Sequence, residues 1–421
     1  MQPLKSIAVF GLGKLGACIA ATLAARGFTV LGVDIDPEKV RCVNACEPPV
    51  SEPQLRETMV AGRERLRATT DVREAQTVDA SFYIPPSPSL LDGSFSTEFL
   101  LRAMQPMAKA VRAADNRHHL FVVNSTTTPG AMRNVILPTL EQETGWKCGR
   151  EFGLCYNPEF IALGNVVRGL LEPDLVLIGE SDRASGDRLA DLYLQYNTNR
   201  PRVARMSLTS AELTKISVNS FVTMKISFTN QIRLIAEKFP EADIHDILGA
   251  IGADQRIGAR YLRAGLSYGG PCFPRDNRLV AYTARQHGLE AALAEATDRV
   301  NETTKHALLE QVRTFVQPGD TVAVLGMAYR PNTYIVEESA GLHLAQHLKL
   351  LGYHVLVHDF MAKPDTSPSL IEFENLESPE SLAAHPETKL AIICCAWPQY
   401  SRTQFPKNLN ILDPWGSRRG Q

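Results

Sequence analysis

Several features are missing from this chain, and each absence removes a class of function. No apolar run approaches the ~20 residues of a membrane-spanning helix, so no membrane partner is expected. Lysine plus arginine number 44 against 46 aspartate plus glutamate, a formal net charge of -2, which leaves no basic surplus for nucleic acid. The cysteines, at 18, 42, 46, 148, 155, 272, 394 and 395, form no C-x-x-C pair, so neither a zinc site nor a disulfide framework is indicated. A reducing cytoplasm is the expected location. The opening residues lack the apolar core and cleavage site of a secretory signal, and there is no low-complexity segment. What remains is a 421-residue chain, 44% hydrophobic and 21% charged, with room for two or three ordinary cores.

The sharpest local motif lies near the start. Residues 7–10, I-A-V-F, read as a buried parallel strand and are followed by Gly11-Leu-Gly13-Lys14-Leu15-Gly16. A helical stretch at 17–26, a stop at Gly27 and a second strand at 29–33 ending in Asp34 complete the unit. This is G-x-G-x-x-G in the strand–loop–helix–strand setting that dinucleotides require, with an acid about 20 positions on. Gly11 permits the tight turn, Gly13 lets a pyrophosphate approach the backbone, and Gly16 lets the helix pack closely. The helix N-terminus then faces the phosphates. Asp34 accepts the ribose hydroxyls. With Ile35 and Asp36 after it and no arginine adjacent, the expected cofactor is NAD rather than NADP.

From residue 40 to about 200, helical and strand-like stretches alternate, with strands expected at 80–84, 119–124, 152–155 and 175–178. Three loops follow such strands, where doubly wound sheets hold ligands. The first, 85–93, is rich in proline and serine. The second, Asn124-Ser125-Thr126-Thr127-Thr128, carries hydroxyls whose simplest local reading is capping of the next helix. The third, Asn157-Pro-Glu159-Phe160, holds an acid that by itself reads as a solvated loop carboxylate. Residues 209–238 read as one long helix with apolar positions 213, 216, 221, 224, 228, 232 and 235, stopped by Pro240. Lys215 and Asn219 share one helical face, solvated on local grounds, or a pair of oxyanion donors if lodged in a pocket.

The stretch 267–276, S-Y-G-G-P-C-F-P-R-D, is where chemistry is expected. Glycines admit close approach of a ligand, prolines stiffen the turn, and Arg275 favours the thiolate of Cys272. Asp276 is placed to handle a proton. Taken alone, these residues fit an idle surface cysteine equally well. From Gly319 a second alternating unit follows: strands at 321–326, 354–359, 390–396 and 410–412, and a helix at 339–351. It lacks G-x-G-x-x-G. His343 and His347 are spaced for a metal but have no third ligand nearby, so a solvated helix face and no metal are expected.

Taken in order, the motifs G-L-G-K-L-G, V-D-I-D, N-S-T, N-P-E-F, A-E-L-T-K-I-S-V-N-S-F, D-Q-R-I-G and Y-G-G-P-C-F-P-R-D resemble the UDP-glucose/GDP-mannose dehydrogenase family over essentially the whole chain. The resemblance implies an α/β fold: two Rossmann-like doubly wound parallel-sheet domains joined by a long central helix and a helical linker domain. The boundaries expected are 1–203 for NAD, 204–315 for the central, dimerising and catalytic-loop part, and 316–421 for the nucleotide sugar. It implies NAD-dependent oxidation of a sugar C6 alcohol to the carboxylate through a Cys272 thioester, with UDP-glucose as the expected substrate. Lys215 and Asn219 then stabilise oxyanions, while Glu159, Asp276 and a water on Thr126 manage protons. Lys14, Leu15, Ser125, Thr126 and Arg275 join the cofactor site. Phe160, Ile161, Tyr261, Leu262, Tyr268, Gly269 and Arg330 contact the nucleotide sugar, as do Lys215 and Asn219. Arg256 reaches a neighbouring subunit's substrate in a homodimer built on the central helix.

Three departures stand out. Leu163 replaces a second glutamate, and Arg275 replaces a lysine. In Arg330-Pro-Asn-Thr333-Tyr-Ile-Val-Glu337-Glu-Ser339, Tyr334 and Ile335 stand where the family has two aspartates, and Glu337 where it has arginine. Competing readings are the same chemistry on a UDP-N-acetylhexosamine or GDP-mannose, a one-step hydroxy-acid dehydrogenase that does not use the cysteine, and an inactive nucleotide-binding scaffold.

Overall fold

The computed structural model describes residues 3–161 and 163–416. The chain divides into two compact units, one running through Ile216 and the other starting at Ser217. The first is built on an eight-stranded sheet in the order Leu66–Thr69, Thr29–Val33, Ser6–Phe10, Ala80–Tyr83, His119–Val123, Phe152–Tyr156, Leu175–Glu180, Arg202–Ser207. Successive side chains of a strand point to opposite faces. Accordingly Ile7, Val9, Leu120 and Val122 enter one apolar cluster, while Ala8, Phe10, Phe121 and Val123 enter another. Both faces are covered, which is why these strands read as continuous apolar runs.

Two strands of this sheet escape the sequence reading, Leu66–Thr69 and Arg202–Ser207. They lie at the two edges of the sheet, where less apolar character is needed. One pairing also departs from the parallel rule. Phe152–Tyr156 and Leu175–Glu180 run antiparallel, with Cys155 opposite Glu180 and Tyr156 opposite Gly179. An apolar run reads the same in either direction, so periodicity cannot reveal a reversal.

The central helix, Leu208–Ala236, contributes residues to both units. Its expected apolar face is not the buried one. Ile216 is buried, but Leu213, Phe221, Phe228 and Ile235 are exposed, whereas Thr223, Ser227, Thr229, Asn230 and Arg233 are buried. Two of the buried polar groups bond backbone of other segments: Ser227 Oγ donates to the Thr297 carbonyl at 2.9 Å, and Asn230 Nδ2 to that of Leu266 at 2.9 Å. The second unit continues with helices Ile244–Ala253, Phe273–Gln286 and Ala292–Arg313. A parallel five-stranded sheet follows, in the order Glu374–Asn375, His354–His358, Thr321–Leu325, Thr388–Ile393, Asn410–Leu412. Ser339 caps the helix Ala340–Leu350 by accepting the Leu342 N–H at 3.1 Å. No helix among the described residues is long and apolar enough to cross a membrane.

Candidate active site

In the first unit the glycine turn has the geometry a dinucleotide needs. Gly11 has φ +93° and donates to the Val33 carbonyl at 2.9 Å. A Cβ on Gly16 would lie 1.8 Å from the Gly11 carbonyl oxygen, so this glycine seats the helix Lys14–Ala25 against the turn. A Cβ on Gly13 would meet nothing within 4 Å; the space beside it is open. Lys14 and Leu15 form the first turn of that helix, Leu15 packing against the core. Asp34 Oδ2 accepts the Leu12 N–H at 2.6 Å, which aims the carboxylate at the turn. Lys39 Nζ stands 3.5 Å from the same oxygen, a neighbour the sequence reading missed. These residues fit a dinucleotide: an open backbone at Gly13 for the pyrophosphate and an oriented acid for a ribose.

The hydroxyl loop after His119–Val123 is organised differently from the capping expectation. Ser125 Oγ donates to the Pro85 carbonyl, Thr128 Oγ1 accepts the Phe95 N–H at 2.9 Å, and Thr127 Oγ1 donates to Glu212 at 2.9 Å. The turn that follows, Met132–Ile136, has no side-chain cap. Glu212 is wholly buried and also accepts the N–H groups of Gly130 at 2.8 Å and Met132 at 3.0 Å. Burial raises its pKa against the pull of these donors. One carboxylate thereby ties the central helix to the loop carrying Ser125 and Thr126. Sequence reasoning missed it, although an acid four residues after Leu208 in a helix with a buried face was a signal.

Lys215 is buried; its Nζ donates to the Glu159 carbonyl at 2.8 Å and lies 4.8 Å from the centre of the Phe160 ring. The Glu159 carboxyl is pushed up to about 7, chiefly by burial, with the Lys215 charge and a hydrogen bond from Tyr193 opposing. It is therefore not a freely solvated acid. Ile161 and Leu163 pack onto the core, and Glu52 pins the end of this loop by accepting the N–H groups of Gly164 at 3.1 Å and Val166 at 2.8 Å.

In the second unit Cys272 is exposed and stands immediately before the helix Phe273–Gln286, whose first turn holds Arg275 and Asp276. The Asp276 N–H donates to the Cys272 carbonyl at 2.9 Å. Asp276 is buried, and its Oδ2 accepts Asn219 Nδ2 at 2.6 Å. Tyr268 is also buried: its N–H donates to Asn301 Oδ1 at 2.8 Å and its hydroxyl to Asp298. The Gly269–Gly270 pair is closely packed against other protein segments. Added Cβ atoms would meet the Glu338 carbonyl oxygen at 2.0 Å and the Tyr329 ring at 2.6 Å.

Arg256 is 89% exposed and paired with Asp254 at 2.6 Å. Tyr261, exposed, holds φ +64°, beside a partly buried Leu262. Arg330 is partly exposed next to the turn at Asn332, where φ is +63°. His343 is not on a solvated face. It stacks on His347 at 4.1 Å, and burial with the nearby Lys305 charge pushes its pKa down to about 4.

A Rossmann-like sheet bearing this glycine turn defines a dinucleotide-binding protein, and a second parallel α/β sheet follows it in the chain. The chain belongs to the UDP-glucose/GDP-mannose dehydrogenase family: residues 5–197 match its NAD binding domain, 209–303 its central domain and 323–415 its UDP binding domain. A UDP-glucose 6-dehydrogenase of Haloferax volcanii is 32% identical over 400 residues, 94% of this chain and 92% of that protein. A GDP-mannose 6-dehydrogenase of Azotobacter vinelandii is 33% identical over 358 residues, 84% of this chain and 80% of that one. The structure of a UDP-glucose dehydrogenase from Pyrobaculum islandicum superposes with a TM-score of 0.89 at 33% identity, covering 98% of this chain and 94% of that one.

Proposed function

We propose that the protein oxidises the C6 alcohol of UDP-glucose to the carboxylate of UDP-glucuronate through a covalent intermediate on Cys272. The observation that carries this reading is an exposed thiol one turn before a buried carboxylate, Asp276, that is hydrogen-bonded at 2.6 Å to Asn219 of the central helix. In the first oxidation the alcohol loses a proton and a hydride and becomes an aldehyde. The Cys272 sulfur adds to the aldehyde carbon, and the thiol proton ends on the oxygen, forming a thiohemiacetal. Loss of a second hydride and of that hydroxyl proton leaves a thioester, which water cleaves to the acid and the thiol. NAD held at the glycine turn supplies the hydride acceptor, twice per sugar.

Lys215 and Asn219 donate hydrogen bonds to the alkoxide and the tetrahedral oxyanions. Glu159 and Asp276, with a water on Thr126, take and return the protons. A carboxyl with its pKa raised to about 7 is an effective base only above that pH. The rate should therefore fall as pH drops through 7 and level off above it. Glu159→Gln should lower the rate and remove that acidic limb; a kcat profile from pH 5.5 to 9 in which the variant keeps the limb would exclude Glu159 as the base.

UDP is favoured because residues 323–415 match a domain described as UDP binding. GDP-mannose is the second reading, supported by the comparable identity to a GDP-mannose 6-dehydrogenase. Incubating a panel of nucleotide sugars with NAD and counting NADH per sugar decides both points. Two NADH per UDP-glucose is expected. A ratio near one with every substrate would overturn the two-step scheme.

The working form is a homodimer paired through the central helix, with Arg256 of each protomer completing its partner's substrate site. What supports this is the exposed series Val218, Phe221, Phe228 and Ile235, spaced as in a helix–helix seam. Sedimentation velocity should give twice the 46.4 kDa chain mass, and Phe228→Glu should give the monomer. A wild-type protein sedimenting as a monomer would contradict it.

A further inference from the structure

We propose that Glu338 and Arg278 are positioning residues that lock the Cys272 loop against residues 327–339, the segment that also carries Arg330. This deepens the proposed function and rests on it for the role of the thiol. On one side the loop is held by Tyr268, bracketed by Asn301 through its N–H at 2.8 Å and its carbonyl at 3.1 Å. It also packs against residues 329–338. The Gly270 N–H donates to the Glu337 carbonyl at 2.9 Å. The Glu338 carbonyl oxygen fills the space a Cβ on Gly269 would need, and the Tyr329 ring fills that of Gly270, whose φ is +82°. Two glycines in the loop are therefore the condition for this segment to dock.

The segment reaches that position through an unfavourable backbone. Glu338 has φ +53°, a conformation disfavoured for any residue with a Cβ and retained only where surroundings enforce it. The enforcing contacts are specific: Tyr329 N–H to the Ile335 carbonyl at 3.0 Å, Ser339 N–H to that of Val336 at 3.1 Å, and Ser339 Oγ to that of Met327 at 2.6 Å. A glycine at 338 would relieve the strain but would lack the side chain. The Glu338 carboxylate accepts Arg278 Nη2 at 2.8 Å, and Arg278 lies two residues past Asp276 on the helix that Cys272 precedes. The backbone bond holds the glycines and the ion pair holds the helix, so the thiol between them has one seat. A nucleotide engaging Arg330 acts on the same segment, so its occupancy reaches Cys272.

The test uses Glu338→Gln, Arg278→Gln and the exchanged pair Arg278→Glu with Glu338→Arg. The readouts are kcat, KM for NAD, and the rate at which iodoacetamide alkylates Cys272, followed by peptide mass with and without added UDP. The pair is 55% and 33% exposed, so the glutamine variants should fold, as circular dichroism can verify. Each single variant should lower kcat about fivefold with KM for NAD unchanged. Each should also alkylate about fivefold faster than wild type and lose the response to UDP. The exchanged pair should recover at least half of both effects. Single variants that match wild type in kcat and alkylation, or an exchange no better than the singles, would overturn the proposal. Alkylation needs no turnover: a protein that alkylates as expected yet oxidises no nucleotide sugar keeps the positioning role and loses the proposed function.

Discussion

Cys272→Ser should reduce acid formation by a factor on the order of 1,000 or more while leaving NAD affinity within about twofold of wild type. The substitution exchanges sulfur for oxygen in an exposed position, so it creates no cavity and disturbs no core. What it removes is nucleophilicity. A serine hydroxyl needs an adjacent base to attack a carbonyl, whereas a thiol is intrinsically reactive through its thiolate. The nearest acid along the chain, Asp276, already accepts a hydrogen bond from Asn219. With the thiol gone the aldehyde is not captured, and the second hydride transfer has no thiohemiacetal to act on. NAD affinity is spared because the glycine turn belongs to the other compact unit. Product chromatography under single turnover and an NAD titration read the two halves separately. Acid formed at the wild-type rate would remove the thiol from the chemistry, and lost NAD binding would assign it a structural role.

Alanine at Gly13 and at Gly16 should weaken NAD binding in both cases but lower stability in only one. Gly16→Ala should weaken NAD binding by ~100-fold or more and lower the melting temperature, because its Cβ would lie 1.8 Å from the Gly11 carbonyl oxygen. The obstructing atom is backbone, so no side-chain rotation relieves the contact; helix and turn must separate. Gly13→Ala has φ −76° and an added Cβ with nothing within 4 Å, so stability should be unchanged. Its methyl group occupies the space left for the pyrophosphate, and NAD affinity should drop at least ~10-fold. Thermal melts paired with NAD titrations separate the two. A Gly13→Ala protein that binds NAD as tightly as wild type would mean that the cofactor does not lie across this turn.

Much of the architecture was legible because it is locally encoded. The I-A-V-F strand, the glycine turn, Asp34 and the second alternating unit declare themselves through spacing, since a buried strand must be apolar and a phosphate turn must be glycine. The loop at 267–276 stood out in the same local way, with a thiol, an arginine and a carboxylate within five residues. Other features were not legible. Leu213, Phe221, Phe228 and Ile235 have the spacing of a core-facing stripe and lie on the surface, while the buried face carries Thr223, Ser227 and Asn230. Spacing reports which residues share a face; it cannot say what that face meets.

The linear order of residues determined the elements, the cofactor turn and the position of the thiol, because each depends on neighbours a few positions away. Tertiary packing alone decided that Glu212 is buried among three donors, that the Glu159 carboxyl titrates near neutrality, and that Gly269 and Gly270 make room for Tyr329 and Glu338. These properties arise from desolvation and contact between segments distant in sequence, here 60 residues or more apart for Gly270 with Glu337, and no local pattern records such distances.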